Sequence, residues 1–219
     1  AYSAQIGGIA GEAGRSVFQN CLNHGTVTGN IAEYTLYAGG ILGRPGVVSV
    51  IFENCLSAGR VTTNRTDSFN YVGNTVGYCY SSVTLKHCLW TSGAGLSNIC
   101  GGVDGSPSID PESALVEANT TAVDSLNGYN STWNRWVLNT DGRAVTFKVN
   151  GGNGFTLSSQ IILMPSVTAT ADERDEYTFL WFSDSALTQE FTGYEIEEGT
   201  ETLYGGLSYT VSFDGNGGA

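Results

Sequence analysis

Short apolar and β-branched runs, separated by Gly, Asn and Ser, fill the first 102 residues and recur with a period of 28 to 34 residues. The block that begins at Gly7-Gly8-Ile9 returns at Gly39-Gly40-Ile41, more loosely at Gly73, and starts again at Gly101. Each unit has the pattern of two or three short strands joined by turns. One unit has too few apolar residues to enclose a core, so the units must stack on one another. The pattern predicts a β-solenoid, parallel β-helix-like, over residues 1–102.

In a solenoid, residues of equal phase lie about 4.8 Å apart, one strand spacing, and form columns. Three columns are expected: Phe18, Phe52 and Leu85; Cys21, Cys55 and Cys88; and Ile9, Ile41 and Thr75. The doubled glycines indicate tight corners, where we expect a positive φ and a close approach of the backbone of the next coil. Asn20, Asn54 and His87 precede the column cysteines, and their side chains would satisfy buried backbone groups in a turn. An antiparallel β-sandwich with similar hairpins is the alternative fold.

The motif Gly-Gly-Ile-x-Gly, followed by Asn-Cys-Leu and Gly-x-Val-Thr, resembles the GLUG-type repeats of large surface proteins and adhesins of bacteria and some protists. The resemblance covers about residues 1–102, and the third copy is degenerate at Asn74-Thr75. It implies a surface-exposed spacer or adhesive stalk rather than an enzyme.

Residues 103–142 have a different character, and we expect them to form a small helical cap or linker over the end of the solenoid. Asp110 is placed as an N-cap with Pro111 at the first helical position, which predicts a short helix over Glu112 to Ala118. A second helix is expected near Thr121, where Asp124 completes an approximate capping box. An uncovered solenoid end exposes strand edges and apolar columns, so a cap is needed there.

Trp133 and Trp136 follow the second predicted helix. Their spacing, with Val137 and Leu138, fits one more helical turn or an aromatic plug in the cap. A platform on which sugars stack is the alternative interpretation of these two side chains.

The pattern changes again at Ala144. A strand over Val145 to Val149 runs into Asn150-Gly151-Gly152, and strands are expected at Ser159 to Leu163 and Tyr177 to Phe182, before Thr202-Leu203-Tyr204. This succession resembles the Listeria-Bacteroides repeat, or internalin B-repeat, over about residues 143–206. The resemblance implies a small β-grasp-like module found in extracellular proteins. Residues 207–219 repeat the opening strand and predict the start of a further repeat or an exchanged strand.

The formal charge of −12 is unevenly distributed. Residues 1–102 contain four acidic and five basic side chains, and the remainder contains seventeen acidic and four basic ones. With a pI of about 4.3, the chain lacks the clustered basic groups that binding to nucleic acid or to an anionic membrane requires. No apolar run approaches the length of a membrane span, about 18 residues.

Cysteines and sequons favour an extracellular location. Cys79 and Cys100 fall outside the repeating cysteine phase, and we predict that they form a disulfide. Three asparagines have the spacing of glycosylation acceptors and are candidates for that modification: Asn64, Asn119 and Asn130.

No catalytic constellation is evident in the sequence. The two histidines, His24 and His87, have no local Ser or Asp motif of a triad, and we expect neither an enzyme nor a cofactor. Weak Ca²⁺ binding by the acidic runs at Asp172 to Glu176 and Glu195 to Glu201 is an alternative. A polysaccharide-active β-helix enzyme with paired carboxylates is another.

The sequence therefore predicts a non-catalytic extracellular module, structural or adhesive, within a large repeat-containing surface protein. Its partners would be a host or neighbouring cell-surface protein or glycan, or copies of itself. The alternative is a self-assembling filament in which the strand at Tyr209 to Phe213 completes a neighbour's sheet and Tyr2 to Ile6 stacks on another solenoid.

Overall fold

The computed structural model describes residues 3–31, 33–92, 95–129, 135–149, 154–164, 177–200 and 202–209. These residues are mainly β and contain one helix, α1 (Thr120–Tyr129). Strands of the N-terminal part follow in chain order: β1 (Ser3–Gly7), β2 (Ala10–Ala13), β3 (Ser16–Gln19), β4 (Leu22–Asn23), β5 (Val27–Gly29), β6 (Thr35–Gly39), β7 (Leu42–Pro45), β8 (Val50–Glu53), β9 (Leu56–Ser57), β10 (Val61–Thr63), β11 (Asn70–Gly73), β12 (Val76–Tyr80), β13 (Val83–Lys86), β14 (Leu89–Thr91), β15 (Cys100–Asp104), β16 (Ser108–Ile109) and β17 (Leu115–Val116).

These strands form five parallel sheets, which we number in the order in which the chain first enters them. Sheet 1 has the order β1-β6-β11, sheet 2 β2-β7-β12-β15, sheet 3 β3-β8-β13-β16, sheet 4 β4-β9-β14-β17 and sheet 5 β5-β10. Consecutive passes of the chain thus lie side by side in every sheet, as in a β-solenoid. The prediction of a mainly β chain with stacked parallel sheets is confirmed, and an antiparallel sandwich is excluded for this part.

The predicted columns lie in register. Phe18 pairs with Phe52, and Phe52 with Leu85, across sheet 3. Phe52 and Leu85 are fully buried in the interior between the sheets, together with Cys55 and Cys88. The backbone N–H groups of Ile9 and Ile41 donate to the carbonyls of Ile41 and Thr75, which joins the third column rung to rung.

The doubled glycines allow a close approach of backbones. A Cβ on Gly39 would lie 2.1 Å from the Leu42 carbonyl oxygen, and one on Gly40 would lie 2.2 Å from that of Asn74. Neither glycine has a positive φ, so close approach, and not backbone handedness, explains the Gly-Gly corner. Any side chain at Gly39 or Gly40 would force the two coils apart.

A corner with left-handed backbone in three successive coils is the one that follows sheet 3. Asn20, Asn54 and His87 have φ values of 50°, 52° and 51°. Asn tolerates this region better than most residues because its short polar side chain bonds locally. The Asn54 amide Nδ2 donates to Asn20 Oδ1 at 2.7 Å, and His87 Nδ1 lies 2.9 Å from Asn54 Oδ1. The three side chains thus form a polar column, but they bond to one another, and Asn54 Nδ2 also donates to the Leu126 carbonyl of α1 rather than to the turn.

Parallel pairing continues beyond residue 102 into a fourth coil. Leu115 and Val116 pair with Trp90 and Thr91, so the predicted helix over Glu112 to Ala118 is wrong. The Asp110 carboxylate caps a turn rather than a helix: it accepts from the Ser113 N–H and hydroxyl and from the His87 N–H. A helix of two turns is only marginal by itself, whereas pairing with β14 satisfies the same backbone groups.

Helix α1 begins at Thr120, with Asn119 as its N-cap: the Ala122 N–H donates to Asn119 Oδ1 at 3.0 Å. The helix packs on the outer side of sheet 4, where Leu22, Leu56 and Leu89 form a column facing Leu126. It therefore lies along the side of the coils, whereas the prediction placed it across their end. The column of outward leucines needs this cover, because each would otherwise expose its side chain to water.

The described residues of the C-terminal part form six further strands: β18 (Trp136–Leu138), β19 (Ala144–Val149), β20 (Phe155–Ser158), β21 (Ile161–Leu163), β22 (Tyr177–Phe182) and β23 (Thr202–Tyr209). β18 and β21 form an antiparallel pair, and the others form a sheet of order β20-β19-β23-β22 in which only β19 and β23 are parallel. The strand predicted at Ser159 to Leu163 is thus shorter, and Trp136 to Leu138 is a strand rather than a helical turn. Trp136 is fully buried against α1, while Trp133 lies outside the described residues.

Cys79 and Cys100 are joined by a disulfide with Cα atoms 6.0 Å apart. It links β12 of the third coil to β15 of the fourth within sheet 2. The other three cysteines are free, and Cys55 and Cys88 are buried. Burial raises the pKa of the Cys55 thiol far above neutral, so it remains protonated in the core.

Candidate functional site: a tyrosine-arginine face on the solenoid

Four tyrosines and one arginine gather on the outside of sheets 1 and 2. We call this surface the tyrosine-arginine face: Tyr37, Arg44, Tyr71, Tyr78 and Tyr80. Strand alternation explains why these side chains point outward. Leu36, Ala38 and Cys79 are fully buried, and the residues between or beside them face the opposite way. All five side chains of the face remain partly exposed.

The rings hold one another in fixed orientations. Tyr37 and Tyr71 are neighbours across sheet 1 and stack with centroids 5.4 Å apart and planes inclined by 10°. Tyr78 meets both of them edge-on, at 5.5 Å and 4.8 Å. Tyr80 in turn meets Tyr78 at 5.1 Å. Offset-stacked and edge-to-face pairs are the favoured aromatic arrangements, so the four rings stabilise one another's positions.

Arg44 locks the edge of this cluster. Its guanidinium lies 5.0 Å from the centroid of Tyr37 and 5.6 Å from that of Tyr80. Its Nε and Nη2 donate to the Tyr80 hydroxyl at 3.1 Å and 2.6 Å. Partial burial alone would lower the pKa of Arg44, but the hydrogen bond to Tyr80 and the nearby Tyr37 and Glu12 outweigh it, and the pKa is raised. The charge of Arg44 is therefore permanent.

Gly102 leaves room for the rings. It pairs with Tyr78 across sheet 2, and a Cβ there would lie 2.5 Å from Tyr71 Cδ1 and 2.6 Å from Tyr78 Cδ2. A side chain at this position would displace both rings. The absence of a Cβ at Gly102 is thus required by the packing of the face.

Polar side chains border the face on the same two sheets. Gln5 pairs with Tyr37, Glu12 pairs with Arg44, and Asp104 pairs with Tyr80. Burial, reinforced by the negative charge of Asp104, raises the pKa of Tyr78. The tyrosine is therefore a neutral hydroxyl, able both to donate and to accept hydrogen bonds.

A second arrangement joins Ser125, His87 and Asn54 at the junction of α1 and the coils. His87 Nε2 lies 2.8 Å from Ser125 Oγ, and His87 Nδ1 lies 2.9 Å from Asn54 Oδ1. Because Asn54 Nδ2 already donates to Asn20 and to the Leu126 carbonyl, its Oδ1 must accept, which places the proton of neutral His87 on Nδ1. Nε2 then accepts from the Ser125 hydroxyl, in the order of a Ser-His-Asn relay.

The surroundings favour a docking role for this relay. The His87 ring stacks on Tyr129, with centroids 4.8 Å apart, and Asn54 bonds the helix backbone at Leu126, so the relay attaches α1 to the coils. A cavity of about 500 Å³ lies beside Ser125, and Glu112 and Glu117 line it. These carboxylates oppose the negative charge that develops on a carbonyl oxygen during acyl transfer. The sequence pattern does not predict this contact, because Ser125 belongs to no repeat.

The remaining predicted site residues have the following positions. Asn64 and Asn119 are exposed, whereas Asn130 lies outside the described residues. The acidic run at Asp172 to Glu176 also lies outside them. Within the described ranges, no group of three or more His, Cys, Asp or Glu side chains could hold a metal ion. Whether the sequons carry glycans stays a prediction.

Sequence reasoning missed the tyrosine-arginine face, although part of its signal was present. Tyr37 and Tyr71 precede the Gly-Gly and Gly-Asn corners by the same two residues, and so share a phase. Tyr78 and Tyr80 alternate with Cys79 on the following strand. The contact between these two pairs of tyrosines depends on the tight glycine corner between sheets 1 and 2. The sequence predicts the position of this corner but not its angle.

Comparison with known protein families, with characterised proteins and with solved structures finds no match to this chain. Across the described part of the chain, no helix has the length and apolarity to cross a membrane.

Proposed function

We propose that the chain is a non-catalytic extracellular module, structural and adhesive, of a large repeat-containing surface protein. The tyrosine-arginine face carries this proposal. A spacer needs only a solvated outer surface, whereas Tyr and Arg are among the residues most enriched where proteins make energetically important contacts. Here they are displayed together: Arg44 donates to the Tyr80 hydroxyl, and Gly102 leaves the space that the Tyr71 and Tyr78 rings fill.

The disulfide supports an extracellular location. A bond between Cys79 and Cys100 persists in oxidising compartments and is rare in the reducing cytosol. It clamps the third coil to the fourth at the end of the stack. The two exposed sequons, at Asn64 and Asn119, are compatible with the same location.

The C-terminal sheet supports a β-grasp-like module over about residues 143–206. In the order β20-β19-β23-β22, the two central strands are parallel and the outer ones antiparallel to them. We propose that this module follows the solenoid as a second repeat type, in line with the internalin B-repeat resemblance.

Antibody labelling of intact source cells tests the proposal. Label on unpermeabilised cells, together with binding of beads coated with the chain to a surface, is the expected result. Label that appears only after permeabilisation would overturn the extracellular assignment. Bead binding that is unchanged by Tyr71→Gln and Tyr80→Gln would remove the tyrosine-arginine face from the adhesive role.

A self-assembling filament is the second candidate, and the ends of the sheets favour it. Among the described residues, β2, β3 and β4 have no strand on one side, and β15, β16 and β17 have none on the other. Val103, Ile109 and Leu115 belong to interior columns of the last coil, yet they are 54%, 42% and 51% exposed. Unpaired edges of this kind recruit further strands.

The strand predicted to complete a neighbour's sheet, Tyr209 to Phe213, already pairs within the chain at its first residue. Tyr209 pairs with Tyr177 in the C-terminal sheet, and residues 210–219 lie outside the described ranges. End-to-end stacking of coils is therefore the more direct route to a filament. Light scattering of the purified chain tests it: mass that grows with concentration supports assembly, and a strict monomer at high concentration excludes it.

A further inference from the structure

The shape of the tyrosine-arginine face selects the form of its ligand. The cavity of about 500 Å³ beside α1 is lined by other residues, as is one of about 160 Å³ beside His24. Small molecules are usually bound in concave sites that enclose most of their surface. The face lies instead on the outer surface of two sheets, which suits an extended ligand that lies across it.

The side chains of the face lie in two rows along the solenoid axis. Gln5, Tyr37 and Tyr71 form one row across sheet 1. A second row lies on sheet 2, where Glu12 pairs with Arg44 of β7. The next strand, β12, pairs with β7 and carries Tyr78. Successive members are one strand spacing apart, about 4.8 Å. A ligand that follows the first row meets two like rings, Tyr37 and Tyr71, one strand spacing apart, so a chain of linked units can place one unit on each ring.

Each side chain of the face combines an apolar body with a polar tip. Tyr offers a ring and a hydroxyl, and Arg44 offers a planar guanidinium whose donors are only partly used by Tyr80. Gln5, Glu12 and Asp104 add amide and carboxylate groups along the border. A matching ligand must present C–H surface and hydroxyl groups within a few ångströms of each other. Pyranose units in a polysaccharide do so.

The charge of the face excludes nucleic acid, the other class of polymer that stacks on aromatic rings. Nucleic acids bind through many cations that neutralise phosphates. The face has one arginine, with Glu12 and Asp104 beside it, and the whole chain has a formal charge of −12. A neutral polymer meets no such repulsion.

We propose that the tyrosine-arginine face binds a neutral polysaccharide, lying along the rows of Tyr37 and Tyr71 on sheet 1 and of Arg44 and Tyr78 on sheet 2. This inference rests on the proposed adhesive function and names the ligand class. The ring faces and edges contact the sugar C–H groups, while the Tyr hydroxyls and Arg44 bond the sugar hydroxyls. The polymer is recognised by its repeated pyranose units rather than by its ends.

Binding of the whole chain to an array of neutral and acidic glycans, followed by electrophoresis through gels that contain the neutral polysaccharides bound, tests the proposal. Retention by at least one neutral polysaccharide is expected. The double variant Tyr37→Gln, Tyr71→Gln places at both positions the residue that coil one already has at position 5. We expect it to lose at least tenfold in affinity, while the matched control Tyr129→Gln, on α1, retains wild-type binding.

A second readout guards against misfolding of the double variant. In the wild-type chain, bound polysaccharide should protect the tyrosines of the face from nitration. Tyr129 should be nitrated equally with and without polysaccharide. Absence of binding to every glycan, binding only to acidic glycans, or retention and nitration patterns that do not involve Tyr37 or Tyr71 would overturn the proposal. If label is found on intact cells and beads adhere only to protein-coated surfaces, the polysaccharide inference fails and the adhesive function stands.

Discussion

Phe18 stacks on Phe52 across one rung of sheet 3, with ring centroids 4.9 Å apart and planes 9° from parallel. The two residues lie 34 positions apart in the sequence and occupy the same point in successive repeats. Phe52 is fully buried, and Leu85 continues the column below it. Such columns replace the interior of an ordinary globular domain, so each rung depends on its neighbours.

Replacing Phe52 by Ala should lower the free energy of unfolding by about 3–5 kcal/mol, because it removes a buried ring that packs between Phe18 and Leu85 and leaves a cavity. Urea titration followed by circular dichroism measures this change. Val17→Ala is the matched control: Val17 is 60% exposed and lies next to Phe18 on the same strand. Its change should remain within about 0.5 kcal/mol. Equal effects of the two substitutions would contradict the burial of Phe52 between Phe18 and Leu85.

Removing the disulfide with the double variant Cys79→Ser, Cys100→Ser should destabilise the chain by roughly 3 kcal/mol, since the bond joins residues 21 positions apart and so closes a loop in the unfolded state. A reducing agent should lower the melting temperature of the wild type and leave that of the variant unchanged. Under denaturing, non-reducing conditions, three of the five cysteines should react with a thiol reagent. Five reactive thiols would show that the bond does not form.

His87 should make stability depend on pH. Burial lowers its pKa in the folded state, while Asp110 and Glu112 oppose this effect. The unfolded chain therefore takes up the proton first, and the contribution of neutral His87 is complete above about pH 6.5 and is lost as pH falls through the folded-state pKa. Urea midpoints measured from pH 7.5 to 5 should show the decline.

The variant His87→Asn separates this effect from the titration of acidic groups. It places at position 87 the residue found at Asn20 and Asn54, and so suits the positive φ of this corner. The difference in stability between wild type and His87→Asn should change over the window below pH 6.5. His24→Asn, at an exposed position, is the control for the His-to-Asn substitution itself. A dependence that survives His87→Asn unchanged would assign it to other groups.

Asn54 should be the most sensitive member of the polar column. Asn54→Ala removes the contacts to Asn20, His87 and the Leu126 carbonyl and places a Cβ-bearing residue without local bonds at a φ of 52°. The expected loss is about 3 kcal/mol. Asn54→Gly loses the same contacts without the left-handed strain, so it should be about 1 kcal/mol more stable than the Ala variant. An Ala variant as stable as the Gly variant would contradict the backbone conformation.

The sequence determines the register of the coils because each rung repeats the same side chains at the same spacing. Phe18 and Phe52, or Val27 and Val61, can be paired from their positions in the repeat, and the structure pairs them in the same way. The start of the fourth coil at Gly101 is visible in the sequence, but its continuation was missed because it lacks the Asn-Cys-Leu motif. There the side chain of Asp110 takes the place of a backbone carbonyl as acceptor for the His87 N–H.

The position of α1 was predicted less well than its existence. Its apolar spacing and polar N-terminus are visible in the sequence, but its packing surface depends on which way the leucines after the column cysteines point. Leu56 points outward and Cys55 inward, and only the corner at Asn54 decides this. The tyrosine-arginine face depends in the same way on a corner, the one at Gly39 and Gly40. Corner angles are tertiary quantities that spacing alone does not encode.

Contacts between the protons of Phe18 and Phe52, observed by nuclear Overhauser spectroscopy, test the parallel stacking of coils most directly. Cross-peaks between their rings are expected, together with cross-peaks between the methyl groups of Val27 and Val61, which pair in sheet 5. Assigning the rings with Phe18→Leu and Phe52→Leu variants makes the result unambiguous. Rings that show no mutual contact, with Val27 and Val61 also far apart, would contradict the in-register solenoid.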